Sequence, residues 1–425
     1  MSRFARGMSL ILLCCGSAVT ALADESAALA ERPTDGPMIG VLLYRNPGPL
    51  KLYSPAKIQV EARDSGVLEI GAGAACTLRL ESTAQGPIAR IGDTEFAPGE
   101  PLRMRARSNH IHLGIVEPGA DASKIRPEKF HGYEGWLELT WQPPQVEGGA
   151  GRWLIVNRVP LERYLLGVIG AEVPASSPAE ALRAQAIASR TYALFQLVTR
   201  APGAVFHITG DTSGQVYRGG AHADARVAPA VDGTRHQVLM YNERLFCSYY
   251  HSTCGGTTQS AASAFGSARI PPLEPVTCNN CASADYAKWE AKYSIADLER
   301  VLRDYVERHG VAALGAIRKI EPIDREKGGY ASYVRIEHAG GSFEMEAQEF
   351  RMFALRLKSA VGPLRSTFFD CERDGDSMVF HGRGWGHGVG MCQNGAIGLA
   401  KRKYDAQAIL SYYYPGAKLY ELVWQ

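Results

Sequence analysis

The chain has 425 residues, 46% of them hydrophobic and 45 of them glycine, enough for one large or two ordinary globular domains. Its formal net charge is +2. A balance so close to zero carries no basic footprint for nucleic acid, which is excluded as an expected partner.

Arg3 and Arg6 precede an apolar or small stretch from Met8 to Ala21, and Ala21-Leu22-Ala23 is a small-x-small pattern ahead of Asp24 and Glu25. These features predict a secretory signal peptide over residues 1–23 and an exported protein of the periplasm, cell envelope or extracellular space. The stretch is shorter than the roughly 20 residues of a spanning helix, and no later segment reaches that length, so no transmembrane anchor is expected after signal removal. Leu13 stands where a small residue precedes a lipidated cysteine, which argues against lipidation at Cys14-Cys15. Seven cysteines remain after residue 23: Cys76, Cys247, Cys254, Cys278, Cys281, Cys371 and Cys392. An odd count leaves at least one outside any internal disulfide.

Residues 24–37, rich in Ala, Glu and Pro, read as a flexible leader. Residues 38–158 form a β-rich N-terminal region. Its expected strands are Ile39–Tyr44, Lys57–Ala62, Thr77–Leu80, Ile111–Ile115, Trp136–Trp141 and Trp153–Val156, separated by Gly, Pro, Asp and Asn clusters. Residues 159–425 form a mixed core in which helices and strands alternate without a βαβ rhythm, so the fold class is α+β. A helix follows Pro160 and is limited by Pro174. A second is expected with Ser177 as N-cap and Glu180 completing a capping box, running to about Val198. Further helices are expected from Ser294 to near Gly310, over Gln348–Leu357, and around Asn394–Arg402 and Asp405–Tyr412. Strands are expected at Ile317–Ile323, Tyr333–Ile336 and Ser342–Met345.

Three constellations carry chemistry. The first is Glu172, directly before Val173-Pro174. Proline disfavours a helical residue ahead of it, so Glu172 ends its helix and its carboxyl is presented. A helix C-terminus and partial burial both raise a carboxyl pKa, which suits a general acid; taken alone, the residue also reads as a solvated surface glutamate. The alanine-rich helix that follows carries Arg190, which either organises the carboxylate or a sugar, or forms a structural ion pair. Arg190 and His387 are expected near Glu172. The second constellation is the glycine-dense segment HGRGWGHGVGMCQNGAIGLA, where alternating glycines allow close backbone approach to a ligand or another chain. His387 brings an imidazole there and Trp385 a ring able to stack on a sugar; a tightly packed turn with both in the core is the alternative. The third is His251-x-x-Cys254 with Cys278-x-x-Cys281, the spacing of a structural tetrahedral zinc site; a disulfide within the set is the alternative in an oxidising compartment.

These segments together resemble the SpoIID/LytB family over roughly residues 130–425. The matching residues are Leu161-Glu162-x-Tyr164-Leu165-x-Gly167-Val168, Glu172-Val173-Pro174, Ala181-Leu182-x-Ala184-Gln185-Ala186 and Ala188-Ser189-Arg190-Thr191-Tyr192-Ala193. His251-Ser252-Thr253-x-Gly255-Gly256, Gly384-Trp385-Gly386-His387-Gly388-Val389-Gly390-Met391-x-Gln393-x-Gly395-Ala396 and Tyr413-Tyr414-Pro415-Gly416 also match, and Asp211–Tyr217, with Gln215 and Tyr217, matches more weakly. The resemblance implies cleavage of peptidoglycan glycan strands stripped of stem peptides, with Glu172 as the catalytic residue and Arg190, Gln215, Tyr217, Trp385, His387 and Gln393 binding substrate. A hydrolase would need a second carboxylate; a lytic transglycosylase, which leaves 1,6-anhydromuramyl ends, needs one. Some members are instead enhancers of a cell-wall amidase, so a glycan-binding module with an amidase partner is the alternative reading.

Overall fold

A computed structural model describes residues 35–83, 86–116, 130–146, 149–220, 223–310 and 314–423. The signal segment 1–23 and all but the last three residues of the leader 24–37 lie outside them. The architecture is α+β.

The β-rich region holds β1 (Met38–Arg45), β2 (Leu50–Tyr53), β3 (Ile58–Ala62), β4 (Gly66–Ile70), β5 (Ala75–Thr83), β6 (Gly86–Ile91), β7 (Thr94–Glu95), β8 (Leu102–Ile115), β9 (His131–Gln142) and β10 (Arg152–Pro160). With β11 (Ile208–Thr209) they make one eleven-stranded sheet among the described residues. The long β8 is its branch point. One edge of β8 pairs with β9, while on the other edge its first half carries β3 and its second half β2. The β8–β9 register breaks between Arg105 and His110, an irregularity that bends a strand and adds twist. Alternation sets the buried face: Ile58 and Val60 point inward while Gln59 is exposed.

β10 runs straight into α1 (Leu161–Glu172), with Pro160 as N-cap. One apolar cluster joins Leu137 and Ile155 on the strands to Leu165 and Val168 on α1 and Leu182 on α2 (Ala179–Thr199). Each such side chain contributes roughly 1.5–3 kcal/mol by leaving water. The expected Ser177 cap does not form. Pro178 occupies the N-cap with φ −54° and α2 starts at Ala179. Glu180 instead pairs with Arg183 and accepts from the Ala406 N–H.

After α2 come α3 (Ala228–Asp232), β12 (Gln237–Tyr241), β13 (Arg244–Leu245), β14 (Tyr250–His251) and α4 (Ala261–Phe265). A second apolar core is then built from β15 (Trp289–Ser294), α5 (Ile295–Arg308), β16 (Ile317–Arg325), β17 (Ala331–His338), β18 (Gly341–Glu346), α6 (Ala347–Ala354), β19 (Phe369–Asp374) and β20 (Ser377–Gly382). Ser294 caps α5 by accepting from the Asp297 N–H, as its spacing predicts. The chain then returns through β21 (Met391–Cys392), α7 (Gln393–Lys401), α8 (Ala406–Tyr413) and β22 (Lys418–Glu421). β21 pairs parallel with β14, and β22 antiparallel with β12. α2 is the hub: small buried residues at 181, 184, 186, 188 and 193 let α1, α3, α7, α8 and β12 pack around it. Among the described residues no helix is long and apolar enough to cross a membrane.

Candidate functional site

Glu172 is the last residue of α1, and Val173 after it is extended at φ −133°, ψ 148°, as the following proline requires. Its carboxylate meets three separate stretches of the chain. Oε1 accepts from the Val216 N–H at 2.7 Å, Oε2 from Gln393 Nε2 at 3.4 Å, and the Tyr250 hydroxyl hydrogen-bonds the same group. Burial raises its pKa above the ordinary glutamate value; the bonds from Val216, Gln393 and Tyr250 pull the other way but do not cancel it.

Behind the carboxylate lies a polar relay inside an otherwise apolar helix packing. Gln185 Nε2 donates to Ser189 Oγ at 3.0 Å, and Ser189 in turn hydrogen-bonds the Tyr250 hydroxyl. Gln215 Nε2 donates to that hydroxyl at 2.9 Å while its Oε1 accepts from Tyr164 at 3.0 Å. With donors arriving at its oxygen, Tyr250 has its own hydrogen free for Glu172. Tyr250 was not named from the sequence, and Gln185 and Ser189 were named only within the matched motifs, with no role. The available signal was a Gln and a Ser four residues apart, on one face of an alanine-rich helix.

The other expected site residues distribute unevenly. Arg190 does not hydrogen-bond Glu172. It makes a bidentate ion pair with Glu162 (2.9 and 2.8 Å), both side chains wholly buried, and donates to the carbonyl oxygens of Gln237 and Val231. The structural ion pair is therefore the reading that holds. Tyr217 lies in the core, its hydroxyl donating to Asn157 Oδ1 at 2.8 Å and its ring 4.9 Å from that of Tyr164. Gln215 is also buried, so neither side chain faces solvent. The 211–217 segment reaches the carboxylate through the backbone of Val216. Gln393 does reach it. His387 does not hydrogen-bond Glu172; Tyr250 stands between, its hydroxyl at Glu172 and its carbonyl at His387. Burial, then His251 and Arg351, lower the His387 pKa to about 3, so its imidazole is neutral. Trp385 remains 38% exposed.

The glycine-dense segment approaches its own chain. Gly390 sits at φ 69° with an added Cβ only 2.0 Å from the Tyr249 carbonyl oxygen, and Gly384 at φ 74° would press on that of Thr253 at 2.5 Å. Both need glycine's left-handed conformation and its missing side chain.

Four sulfurs form a buried cluster: Cys254, Cys278, Cys281 and Cys392, all within 4.8 Å of one another. His251 is not a member and is corrected as a metal donor. Its Nδ1 hydrogen-bonds the Val389 carbonyl at 3.0 Å, and burial lowers its pKa to about 4. Cys392 takes the fourth place because β14 and β21 pair with His251 opposite Cys392. The sulfurs of Cys254 and Cys281 are 3.4 Å apart, and those of Cys278 and Cys281 are 3.9 Å apart. A tetrahedral ion with bonds of about 2.3 Å would set its sulfurs about 3.8 Å apart. The N–H groups of Cys254 and Gly395 point at Cys392 Sγ, donors suited to a thiolate. Hydrogen bonding among the sulfurs, Cys254 foremost, holds Cys278 and Cys281 below the ordinary thiol pKa. These four residues fit a metal ion.

Residues 149–241 match the family model for stage II sporulation protein, and residues 273–390 match a domain family of unknown function, DUF8618. An uncharacterized protein of Brachyspira hyodysenteriae is 33% identical over 267 residues, covering 63% of this chain and 68% of that protein. Stage II sporulation protein D of Bacillus subtilis is 29% identical over 282 residues, 63% of this chain and 76% of its own. The amidase enhancer of the same organism is 25% identical over 364 residues, 76% of this chain but only 50% of the enhancer. The matched model and the named relatives agree with the motifs, and the chain belongs to the SpoIID/LytB family.

Proposed function

We propose that this is an exported cell-wall protein that cleaves peptidoglycan glycan strands as a lytic transglycosylase, with Glu172 as the single acid and base. The observation that carries the reading is one carboxyl at a helix end, raised by burial and ringed by oriented donors. Protonated Glu172 gives its proton to the glycosidic oxygen as the C1–O4 bond breaks. The muramyl 6-hydroxyl then bonds to C1 and returns its proton to the carboxylate, so no water is consumed and a 1,6-anhydro end results. Val216, Gln393 and Tyr250 hold the carboxylate in the interval when it is charged.

The test is incubation of peptide-free glycan strands with the protein, read by mass spectrometry. Products 18 mass units lighter than hydrolytic ends, because no water is added, support the transglycosylase. Intact strands, together with stimulation of a cell-wall amidase, would replace this reading with that of a glycan-binding enhancer. The relative named amidase enhancer motivates that arm.

Tyr250→Phe removes a donor that favours charged Glu172, so the pKa of Glu172 rises further. The alkaline limb of the pH–rate profile is expected to move to higher pH, with kcat lower by about tenfold, the scale of one hydrogen bond to a charged group. An unmoved limb would leave Tyr250 with a packing role alone.

We also propose one structural zinc ion on Cys254, Cys278, Cys281 and Cys392. It would supply no step of the reaction. It would tie the Cys254 turn and the Cys278–Cys281 loop to the start of α7, next to Gln393. One ion per chain is expected by metal analysis, lost in Cys392→Ser and kept in His251→Ala. The reverse pattern would restore His251 as the donor. Chelation should lower Tm, since metal affinity adds directly to folding free energy.

A further inference from the structure

Arg365 lies outside the residues matched by the stage II sporulation model and inside the match of unknown function. Its guanidinium carbon sits 3.8 Å from the Tyr286 ring centroid and 4.8 Å from that of Trp385. The two rings meet edge to face at 4.6 Å and 85°. The backbone that presents Arg365 is held on both sides. Leu364 accepts from Arg351 and donates to the Tyr293 hydroxyl, the Arg365 carbonyl accepts from the Gly386 N–H, and Ser366 bonds the Arg383 carbonyl.

A guanidinium held over an aromatic ring by cation–π attraction leaves its N–H donors for other partners. Among the described residues no side chain forms an ion pair with Arg365. Its fork is therefore available to a carboxylate, which it matches with two parallel bonds. Half-exposed Trp385 offers a ring to the apolar face of a sugar. Hydrogen bonds also connect the clamp to the carboxyl site. Trp385 and Thr253 exchange main-chain hydrogen bonds, Asn394 donates to Thr253, and Gln393 beside it donates to Glu172.

We propose that Arg365, Tyr286 and Trp385 bind the free lactyl carboxylate of a muramic acid residue and so select strands that have lost their stem peptides. This rests on the reading of glycan strands as substrate. In peptidoglycan the lactyl carboxyl is an amide when a stem peptide is attached and an anion when it is not. An arginine fork distinguishes the two by charge and by its second acceptor oxygen. The strand chemistry would thus be read by a residue of the matched domain of unknown function, and the carboxyl supplied by α1.

The test measures binding, by calorimetry, to the Glu172→Gln protein so that strands stay intact. Two probes are used: peptide-free strands, and the same strands with lactyl carboxyls converted to primary amides. The free acid is expected to bind about tenfold more tightly or better, the scale of a hydrogen bond to a charged group. Arg365→Gln in the same background should erase that preference, so that the two probes bind alike. Arg365→Lys should keep part of it, and near-UV circular dichroism of both variants reports folding. Equal affinity for the two probes, or a preference that survives Arg365→Gln, overturns the clamp while the glycan reading stands. Binding to neither probe overturns the glycan reading and the clamp with it.

Discussion

Replacing Arg190 by methionine is expected to cost about 3–5 kcal/mol of folding free energy, a large part of a domain's whole stability. The substitution leaves Glu162 charged, buried and without its bidentate partner, and strands the Gln237 and Val231 carbonyls as well. The ion pair joins α1 to α2 and reaches the start of β12, so its loss loosens the hub of the core. Glu162→Gln should cost less, since a neutral amide can still accept from the guanidinium. In the double variant Arg190→Met/Glu162→Met both charges go together, and much of the stability should return because desolvation and attraction nearly offset in such pairs. Urea denaturation of the four proteins checks this. Strand cleavage per folded molecule should be the same in the double variant as in the parent. A folded double variant with no activity would give Arg190 a part in the chemistry after all.

That pair also shows where sequence reading stopped. Glu162 and Arg190 both stand in matched motifs, yet nothing local says that helices separated by a proline turn bring them face to face. Local patterns did carry the elements: Pro160 and Pro174 bound α1, Ser294 caps α5, and alternation predicted β3 and β9. The carboxyl site was half legible. Glu172 was marked by Val173-Pro174, because the proline restricts Val173 and so ends the helix at Glu172. Tyr250 was not marked, because its role depends on Gln215 and Ser189 arriving from other elements. The cysteines make the same point. Cys278-x-x-Cys281 is a local turn whose two sulfurs come together, whereas His251-x-x-Cys254 has the same spacing and only its cysteine joins the cluster. Cys392 joins through a parallel pairing of β14 with β21, across 138 residues from Cys254, and spacing rules hold no information about that.

Glu172→Gln is expected to fold and to lose strand cleavage by about two to four orders of magnitude, the range for a lost general acid. The amide keeps the shape of the side chain and its acceptor for the Val216 N–H, but it has no proton to give the leaving oxygen. The wild-type rate should fall as pH rises through the pKa of Glu172, and because burial raises that pKa the active form persists to higher pH than for a solvent-exposed glutamate. Stability changes in the linked direction. The folded carboxyl holds its proton more tightly than the unfolded one, so the wild type gains from protonation at low pH. It loses that advantage as pH rises from the unfolded value, roughly 4.3, through the raised folded value. Glu172→Gln does not titrate, so its stability relative to wild type should increase across that window and level off above it. Thermal melts of both proteins from pH 3.5 to 8 measure the difference, and strand cleavage measured over the same range supplies the kinetic limb. A wild type whose relative stability rises with pH would mean a lowered carboxyl pKa, and full cleavage by Glu172→Gln would remove this residue from the reaction.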